Sequence, residues 1–540
     1  MKAPYRFVDL NKKVVYPEWS EKVFHDVPLK DPKSGELELK ITAITPVYIK
    51  DSESDEFFNF NSTYMIPGSS IKGMLRSIVE VLSFSKLDTD DQTFAYRDLN
   101  HPSYKRKMMN TNKIYHGWLF KQGGEWKIES LGKISASNRI KYSDPEFKKA
   151  VGAQNVNKIK NKRAAFEKYK ICNNELPQTR CGYIVFTGKA GKQKTREFLF
   201  EKKQPERVYT LGRNVIENFK SAYYLDNPSL INENWKNLWA EKFERGERIP
   251  VFFQLDENGD IKHFGLSMLY KLPYENSTHD LLKRYQEYKN DPDFAQTLFG
   301  HTGEDALKGR VFVSHHIAVK AVKHPPVKTV LATPRPTFFL HYIKQNKTEC
   351  VTYDDKDAVL SGFKFYPHKK RILKSTGNGN ENTMTTLKPL DKGSEFEGKI
   401  RFFNLNEIEL GALLSAVTLF NRQNTYHKLG MGKPLGFGSV KIEVNGDVDI
   451  EKHIKAFEDY MVSEVGKDEY EKRKSQLLKY HTFELNENEL EYIEFPHGYK
   501  DLKSKCKQKN KKHKKNNHQK HQKKKKNQDS SQMGNIRIKI

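Results

Sequence analysis

The most informative segment of the chain is Leu429-Gly-Met-Gly-Lys-Pro-Leu-Gly-Phe-Gly-Ser-Val440, which lies between a helix-like run and a strand-like run. Glycine permits a positive φ and lets backbone N–H groups come close to an anion, while Lys433 adds the positive charge that a phosphate attracts. We therefore predict a loop that cradles the phosphates of an RNA backbone. The residues that would form it are Gly430, Gly432, Lys433, Gly436 and Gly438.

Two better-known phosphate loops are excluded by the spacing. The Rossmann loop has the pattern Gly-x-Gly-x-x-Gly between a strand and a helix, whereas here the third glycine comes one residue later and a strand follows. The Walker A loop needs Ser or Thr after its lysine to bind Mg²⁺, and here Pro434 follows Lys433. We therefore do not expect this loop to bind a nucleoside triphosphate.

The composition indicates a globular protein with a polyanionic partner. The chain has 540 residues, of which 36% are hydrophobic and 12% aromatic, enough for about two to four domains with proper cores. Its formal charge of +26 favours nucleic acid as the partner. Thirteen lysines between Lys503 and Lys526, with no acidic residue among them, supply half of that charge. We expect this tail to be disordered, and to be either a solubilising extension or a nucleic-acid-binding arm.

The sequence predicts a cytoplasmic protein. It has no run of eighteen apolar residues, and its first residues lack the apolar core of a signal peptide, so we expect neither a membrane span nor secretion. The cysteines lack the Cys-x-x-Cys spacing of a zinc site or a disulfide framework, which fits a reducing compartment. They are Cys172, Cys181, Cys350 and Cys506.

The hydrophobic periodicity predicts a β-α-β-β-α-β core. Alternating apolar residues indicate the strands, and one-sided apolar patterns indicate the helices, the first of which Ser69 or Ser70 would cap. This order is the ferredoxin-like arrangement on which the RNA-recognition motif (RRM) is built, so the predicted class is α+β. The predicted elements are a strand within 36–49, a helix that carries Ile71 to Leu82, strands over 309–319 and 396–405, a helix over 407–420 and a strand over 439–444.

A large insertion splits this core. About two hundred residues separate the first helix from the second strand, which no ordinary loop explains. We expect a β-rich insertion with hairpins that turn at Gly123-Gly124 and at Asn258-Gly259, and a second, degenerate ferredoxin-like unit is the alternative. The predicted domains are 1–84 and 298–450 for the split core, 85–297 for the insertion, 451–500 for a helical extension and 501–540 for the disordered Lys-rich tail.

Three motifs, in this order, resemble the signatures of the RAMP superfamily, the repeat-associated proteins of CRISPR-Cas effector complexes. They are Ile66-Pro-Gly-Ser-Ser-Ile-Lys-Gly-Met-Leu-Arg-Ser77, Leu298-Phe-Gly300 leading to Gly309-Arg-Val-Phe-Val-Ser314, and the glycine-rich loop. The chain is similar in particular to a long, single-chain group linked to type III systems. The resemblance implies a ferredoxin-like fold in an antiviral effector. It also implies CRISPR guide RNA, target RNA and other effector subunits as partners.

The resemblance also implies which residues contact RNA. In backbone subunits of this family, the first helix and the glycine-rich loop contact the guide RNA. By motif, this assigns RNA contacts to Ser69, Ser70, Lys72 and Arg76, together with the five loop residues named above. Lys72 and Arg76 lie four residues apart on one helical face, and a helix N-terminus suits phosphate. Such binding requires no cofactor.

Some subunits of this family also cleave the target RNA with a metal ion, using an aspartate between the first strand and the first helix. Here that loop reads Lys50-Asp-Ser-Glu-Ser-Asp-Glu56, so Asp51 and Asp55 are the catalytic candidates. Clustered carboxylates can hold Mg²⁺ beside a scissile phosphate. An acidic, solvated loop without chemistry is the alternative.

His315 and His316 stand where many relatives place an aspartate. Adjacent strand residues face opposite sides, so at most one could join a site with its neighbours. A histidine can act as general base in a metal-independent guide-processing ribonuclease, and a packed histidine is the alternative. Arg335, in a Pro-rich turn, either meets phosphate or only connects strands. A general RNA-binding protein whose affinity lies in the basic tail is a further alternative.

Overall fold

The computed structural model describes residues 2–108, 113–162, 165–171, 175–176, 181–187, 194–223, 231, 235–303, 305–331, 336–345, 350–373 and 384–492. The basic tail over 501–540 and Arg335 lie outside the described residues. Strands β1 to β23, in chain order, are Arg6–Val8, Lys33–Ala43, Asn59–Phe60, Thr63–Ile66, Tyr115–Gln122, Glu125–Lys133, Arg139–Lys141, Glu175–Leu176, Gly182–Val185, Arg196–Glu201, Arg207–Thr210, Ile249–Leu255, Ile261–Gly265, Gly300–His301, Leu307–Lys308, Val311–Val313, His316–Lys320, Val327–Thr329, Phe363–Phe365, Thr385–Leu387, Glu395–Leu405, His427–Lys428 and Ser439–Asn445. Helices α1 to α13 are Gly68–Leu82, Pro102–Met108, Pro145–Val151, Val156–Asn161, Ala165–Tyr169, Arg213–Tyr223, Glu241–Glu244, Thr278–Tyr285, Phe294–Phe299, Phe339–Tyr342, Glu407–Thr418, Ile450–Val465 and Lys467–Tyr480.

The chain divides into two compact units. The first comprises Met1–Asp90, His279–Arg335 and Phe339–Ile540, and the second comprises Asp91–Thr278 with Pro336–Phe338. The predicted limits of the split core, the insertion and the extension are a finer division than this, and they stay a prediction.

A mixed α/β arrangement around one antiparallel sheet forms the first unit. The strand order is β22-β23-β2-β21-β17-β4-β3, and β16 also pairs with β21. The predicted core strands correspond to β2, to β16 with β17, to β21 and to β23. Across the sheet they follow the order fourth, first, third, second, and neighbours are antiparallel. The assignment of this core to the ferredoxin-like class stays a prediction.

Side-chain alternation explains the central strand of this sheet. Leu37, Leu39 and Ile41 on β2 are buried, while the residues between them are more accessible. Alternation of this kind is typical of a strand that buries one face. The strand ends at Ala43, earlier than its predicted limit, and Pro46 soon follows, which cannot donate a ladder hydrogen bond.

The second predicted core strand is interrupted. β16 ends at Val313 and β17 begins at His316, because helix α1 begins against this point. A Cβ on Gly68, the first residue of α1, would lie 2.0 Å from the carbonyl oxygen of Val313. Only glycine allows this approach of helix and strand.

The second unit is rich in antiparallel strands. Its five-stranded sheet has the order β11-β6-β5-β12-β13, and its four-stranded sheet has the order β7-β10-β9-β8. Both predicted hairpins are confirmed, since β5 pairs with β6 around Gly123-Gly124, and β12 pairs with β13 around Asn258-Gly259. Among the described residues of the whole chain, no helix is long and apolar enough to cross a membrane.

Candidate nucleic-acid interface

The glycine-rich loop connects β22 to β23 and has the backbone that its glycines predict. Gly430, Gly432, Gly436 and Gly438 all have a positive φ, between 72° and 106°. A Cβ on Gly438 would lie 1.9 Å from the carbonyl oxygen of Leu429, and one on Gly430 would lie 2.4 Å from that of Tyr48. The glycines therefore serve both backbone conformation and close packing.

The amides of this loop are mostly used within the protein. The N–H of Met431 donates to Tyr48 O at 2.7 Å, and the N–H of Gly438 donates to Pro46 O at 2.8 Å. The N–H groups of Leu435 and Gly436 donate to carbonyls of the loop itself. The expectation that the loop presents its amides to an anion is therefore wrong for these four groups. Of the features from which phosphate binding was predicted, the charge of Lys433 is the one these internal hydrogen bonds do not use, and its contact with RNA stays a prediction.

Replacing Gly438 by alanine is expected to lower the free energy of unfolding by at least about 1–3 kcal/mol, because φ is +79° and the added Cβ meets Leu429 O. Gly73 is the matched control, because it lies in α1 and a Cβ there would meet nothing within 4 Å. Gly73→Ala should stabilise by about 0.5–1 kcal/mol. Urea unfolding of both variants measures the difference, and similar midpoints would contradict this account of the loop.

Three lysines surround the loop, and sequence reasoning identified only one of them. Lys369 donates to Pro434 O, and Lys428 donates to Gly436 O at 3.2 Å. Burial lowers the pKa of Lys433, lowers that of Lys369 to about 8, and lowers that of Lys428 well below its usual range. Neighbouring lysines lower the pKa of Lys428 further. The sequence could have identified Lys428, because this residue stands directly before the loop. It could not have identified Lys369, which reaches the loop from another segment of the chain.

The start of α1 differs from the expectation. Pro67 occupies the N-cap position and Gly68 is the first helical residue, so the prediction that Ser69 or Ser70 caps the helix is wrong. The N–H of Gly68 donates to Nδ1 of His315 at 3.1 Å, which satisfies the first amide of the helix from outside its own sequence. Ser69 is exposed and Ser70 is half-buried, both within the first turn.

Lys72 and Arg76 have different surroundings. Arg76 pairs with Glu80 at 2.8 Å and donates to Gly300 O at 3.2 Å, with Asp88 at 3.7 Å. Lys72 is half-buried, and burial together with the charge of Arg76 lowers its pKa. Within the described residues no carboxylate forms an ion pair with Lys72, so it is the less satisfied of the two cations.

Asp51 and Asp55 lie in a tight acidic hairpin tip. Oδ1 of Asp51 accepts the N–H of Glu53 at 2.9 Å, and the Asp55 carboxylate pairs with Lys50 at 2.7 Å. This pairing lowers the pKa of Asp55. Among the described residues, no group of three His, Cys, Asp or Glu side chains could hold a metal ion. In this structure both carboxylates already have partners within the protein, and the catalytic assignment of this pair, with its Mg²⁺, stays a prediction.

The two adjacent histidines face different surroundings, as the strand period predicts. His315 is exposed and accepts the first N–H of α1. His316 is buried over Gly398, where a Cβ would lie 2.5 Å from its ring, and burial lowers its pKa. His315 therefore has a structural partner, and His316 is packed in the sheet.

The helix start and the glycine-rich loop lie at different places on the same sheet. The loop contacts Pro46 and Tyr48, just after β2, while the helix start contacts Val313 and His315, between β16 and β17. Strand β21 lies between β2 and β17. The structure therefore does not bring them into one pocket, and a ligand that contacts both must extend across the sheet.

The sequence model of one protein family, described as the RAMP superfamily, matches residues 40–441. This match covers more than half of the chain. The chain belongs to the RAMP superfamily. The RAMP match begins within β2 and ends within β23, so it includes both α1 and the glycine-rich loop.

Solved structures with some similarity to this RAMP chain come from CRISPR complexes. A chain of a type IV-B CRISPR complex is 10% identical with a TM-score of 0.23, over 77% of this chain and 96% of that chain. A chain of a CRISPR RNA-guided surveillance complex in a pre-nicking state is 9% identical with a TM-score of 0.23, over 80% and 90%. A chain of a type III-B Cmr-beta complex bound to cognate target RNA is 12% identical with a TM-score of 0.18, over 76% and 97%. No curated protein matches the chain, so the family assignment rests on the sequence match alone.

Proposed function

We propose that this RAMP protein is an RNA-binding subunit of a CRISPR-Cas effector of type III-like organisation. It holds guide RNA through the start of α1 and through the glycine-rich loop. Other effector subunits and target RNA are its partners.

The observation that carries this proposal is a pair of poorly compensated lysines. Lys72 and Lys433 are both half-buried, and both have a lowered pKa caused first by burial. No carboxylate in the described part of the chain pairs with either ammonium group. A cation that has lost water and has no internal counter-ion gains most from an external anion such as a phosphate.

Arg76 has a supporting role in this proposal. Its guanidinium is held by Glu80 and by Gly300 O, so it is less free to bind a ligand. Its charge nevertheless adds to the field around Lys72, one turn earlier on the same helical face. Ser69, exposed in the first turn, adds a hydroxyl near the helix N-terminus, where the helix dipole favours anions.

The test is RNA binding by the variant Lys72→Gln/Lys433→Gln, in a chain ending at residue 492 so that the basic tail does not contribute. If each lysine neutralises one phosphate, the slope of log K against log salt should fall in magnitude by about 2. Lys441→Gln is the control, because Lys441 is exposed on β23 and pairs with Glu443 at 2.8 Å. A folded double variant that binds RNA as tightly as this control would refute the proposed site.

Sequencing of the RNA that copurifies at high salt tests the CRISPR assignment separately. The protein should be expressed beside its genomic neighbours, so that native partners and guides are present. We expect uniform short RNAs with a repeat-derived end. Heterogeneous RNA would restrict the conclusion to general RNA binding.

A further inference from the structure

The second unit contains a cavity of about 830 Å³ that the guide-binding proposal does not use. This volume is in the range of ordinary small-ligand pockets. Strands β5, β6, β9, β10 and β12 contribute to its walls. A π-helix over Lys236–Ala240 adds Leu238 and Trp239, and single π-helical turns are frequent at functional sites.

Aromatic side chains form much of the cavity wall. Trp118 and Tyr183 meet edge to face with ring centres 5.4 Å apart. Trp239 and the partly exposed Tyr169 also line the cavity. The indole N–H of Trp239 is buried and has no acceptor among the described residues. Such a wall offers flat apolar surfaces to a planar ligand.

Positive charge surrounds these rings. Arg248 lies 5.4 Å from the ring centre of Trp118 and pairs with Glu129, while Lys202 lies 5.4 Å from the ring centre of Tyr183. Lys242 lines the same cavity. The charged lining consists of Lys202, Lys203, Lys242, Arg248, Glu129 and Glu201, so cations outnumber carboxylates. This excess favours an anionic ligand and disfavours the cations that other aromatic cages bind.

We propose that this cavity binds a nucleotide. The base lies against the wall formed by Trp118 and Tyr183, because bases stack on aromatic rings and on guanidinium planes. The phosphate lies near Lys242 and Arg248, because arginine and lysine are the usual phosphate partners. A free mononucleotide and an unpaired nucleotide of an RNA strand share this chemistry. The site goes beyond guide binding, because it lies in the second unit and uses neither Lys72 nor Lys433.

The experiment is a titration of the full chain with adenosine 5′-monophosphate and, separately, with single-stranded hexa-adenylate, followed by intrinsic tryptophan fluorescence. We expect saturable binding that is weaker by about tenfold or more in Lys242→Gln/Arg248→Gln, because the phosphate loses its cationic partners. Tyr169→Ala, at a partly exposed ring, should weaken binding through the aromatic wall. Arg213→Gln/Lys262→Gln is the control, because it removes the same charge from exposed positions of the same unit that do not line the cavity.

Each outcome is decisive. If the mononucleotide binds and the cavity variants weaken this binding, the ligand is a free nucleotide. If the cavity variants weaken only the binding of hexa-adenylate, the ligand is a nucleotide of an RNA strand. If the cavity variants bind both ligands as tightly as the control variant does, the proposal is wrong. If inorganic phosphate competes as well as the mononucleotide, the base plays no part and the proposal is equally wrong. Lys72→Gln/Lys433→Gln should leave mononucleotide binding unchanged, so failure of the guide-binding proposal is separately visible.

Discussion

Replacing Glu409 by alanine is expected to lower the free energy of unfolding by about 3–5 kcal/mol, because it leaves the guanidinium of Arg310 buried without its counter-ion. Arg310 and Glu409 have 0% and 1% of their side chains exposed, and they form a bidentate pair. Arg310 also donates to Thr297 O at 2.9 Å and to Asn404 O. The pair therefore joins α9, the start of β16, the end of β21 and α11.

Urea unfolding measures this effect, with Glu407→Ala as the matched control. Glu407 lies in the same first turn of α11, but its side chain is 41% exposed, so its loss should cost less than about 1 kcal/mol. The double variant Arg310→Met/Glu409→Leu should recover much of the loss, because an apolar pair of similar volume leaves no buried charge. If Glu409→Ala unfolds at the same urea concentration as Glu407→Ala, the pair does not hold these elements together.

The Arg310–Glu409 pair explains why an arginine stands in one of the motifs that resemble the family's signatures. Gly309-Arg-Val-Phe-Val-Ser314 contains an arginine in a basic protein, and on sequence alone such a residue could contact RNA. Its burial and the three residues that its guanidinium contacts, Thr297, Asn404 and Glu409, make it a packing residue instead. Arg310 in this motif is thus explained by stability, and it has no part in the proposed RNA contacts.

Local rules predicted what depends on neighbouring residues. The positive φ of the four loop glycines follows from glycine, the first hairpin follows from the two-residue turn at Gly123-Gly124, and the second follows from a longer loop that contains Gly259. The strands of the central sheet follow from alternation. Strands β21 and β23 agree with their predicted ranges to within about one residue, whereas β2 ends at Ala43 rather than near Ile49 and the second predicted strand is interrupted between β16 and β17. Helix α11 was also predicted, and Asn406 and Glu409 form the capping box that fixes its start.

Contacts between distant segments could not be predicted in this way. The first amide of α1 is satisfied by His315, more than two hundred residues later in the chain, so the serines beside it are not its caps. Arg76 is neutralised by Glu80 and bound by Gly300 O, the latter on another segment. Lys369 reaches the glycine-rich loop from outside its motif. Charge and spacing mark the lysines and arginines, but only the fold distinguishes paired cations from unpaired ones.

The base of the glycine-rich loop contains a cluster of buried histidines. His368 and His481 both donate to the carbonyl oxygen of Tyr426, at 2.9 Å and 2.8 Å. His368 Nδ1 contacts Ser439 Oγ, which also accepts a hydrogen bond from Lys428. His427 contacts Val417 O at 2.9 Å through Nε2. The cluster therefore connects β22, the first residue of β23 and the end of α13.

Burial keeps these imidazoles neutral. It lowers the pKa of His427 to about 3, lowers that of His481 to about 4, and lowers that of His368 well below its usual range. In the unfolded chain the same groups titrate near 6.5. Between these values the unfolded state binds more protons than the folded state, so stability is complete above about pH 6.5 and is lost as the pH falls toward 4.

Acidification from about pH 7 to about pH 4.5 should therefore cost about 2–3 kcal/mol for each fully buried histidine of this cluster. Urea unfolding at several pH values measures the loss. His481→Asn keeps a donor near Nδ1 and removes the titration, so its free energy of unfolding should fall less steeply with acidity than that of the parent. His25→Gln, at an exposed position outside the cluster, is the control and should keep the parental slope. Equal slopes for the parent and His481→Asn would mean that this histidine is not buried in its neutral form.

The cluster contacts Ser439 and Lys428, which flank the glycine-rich loop. The proposed RNA binding should therefore weaken over the same acidic range. This direction is opposite to the strengthening of phosphate binding that low pH usually causes.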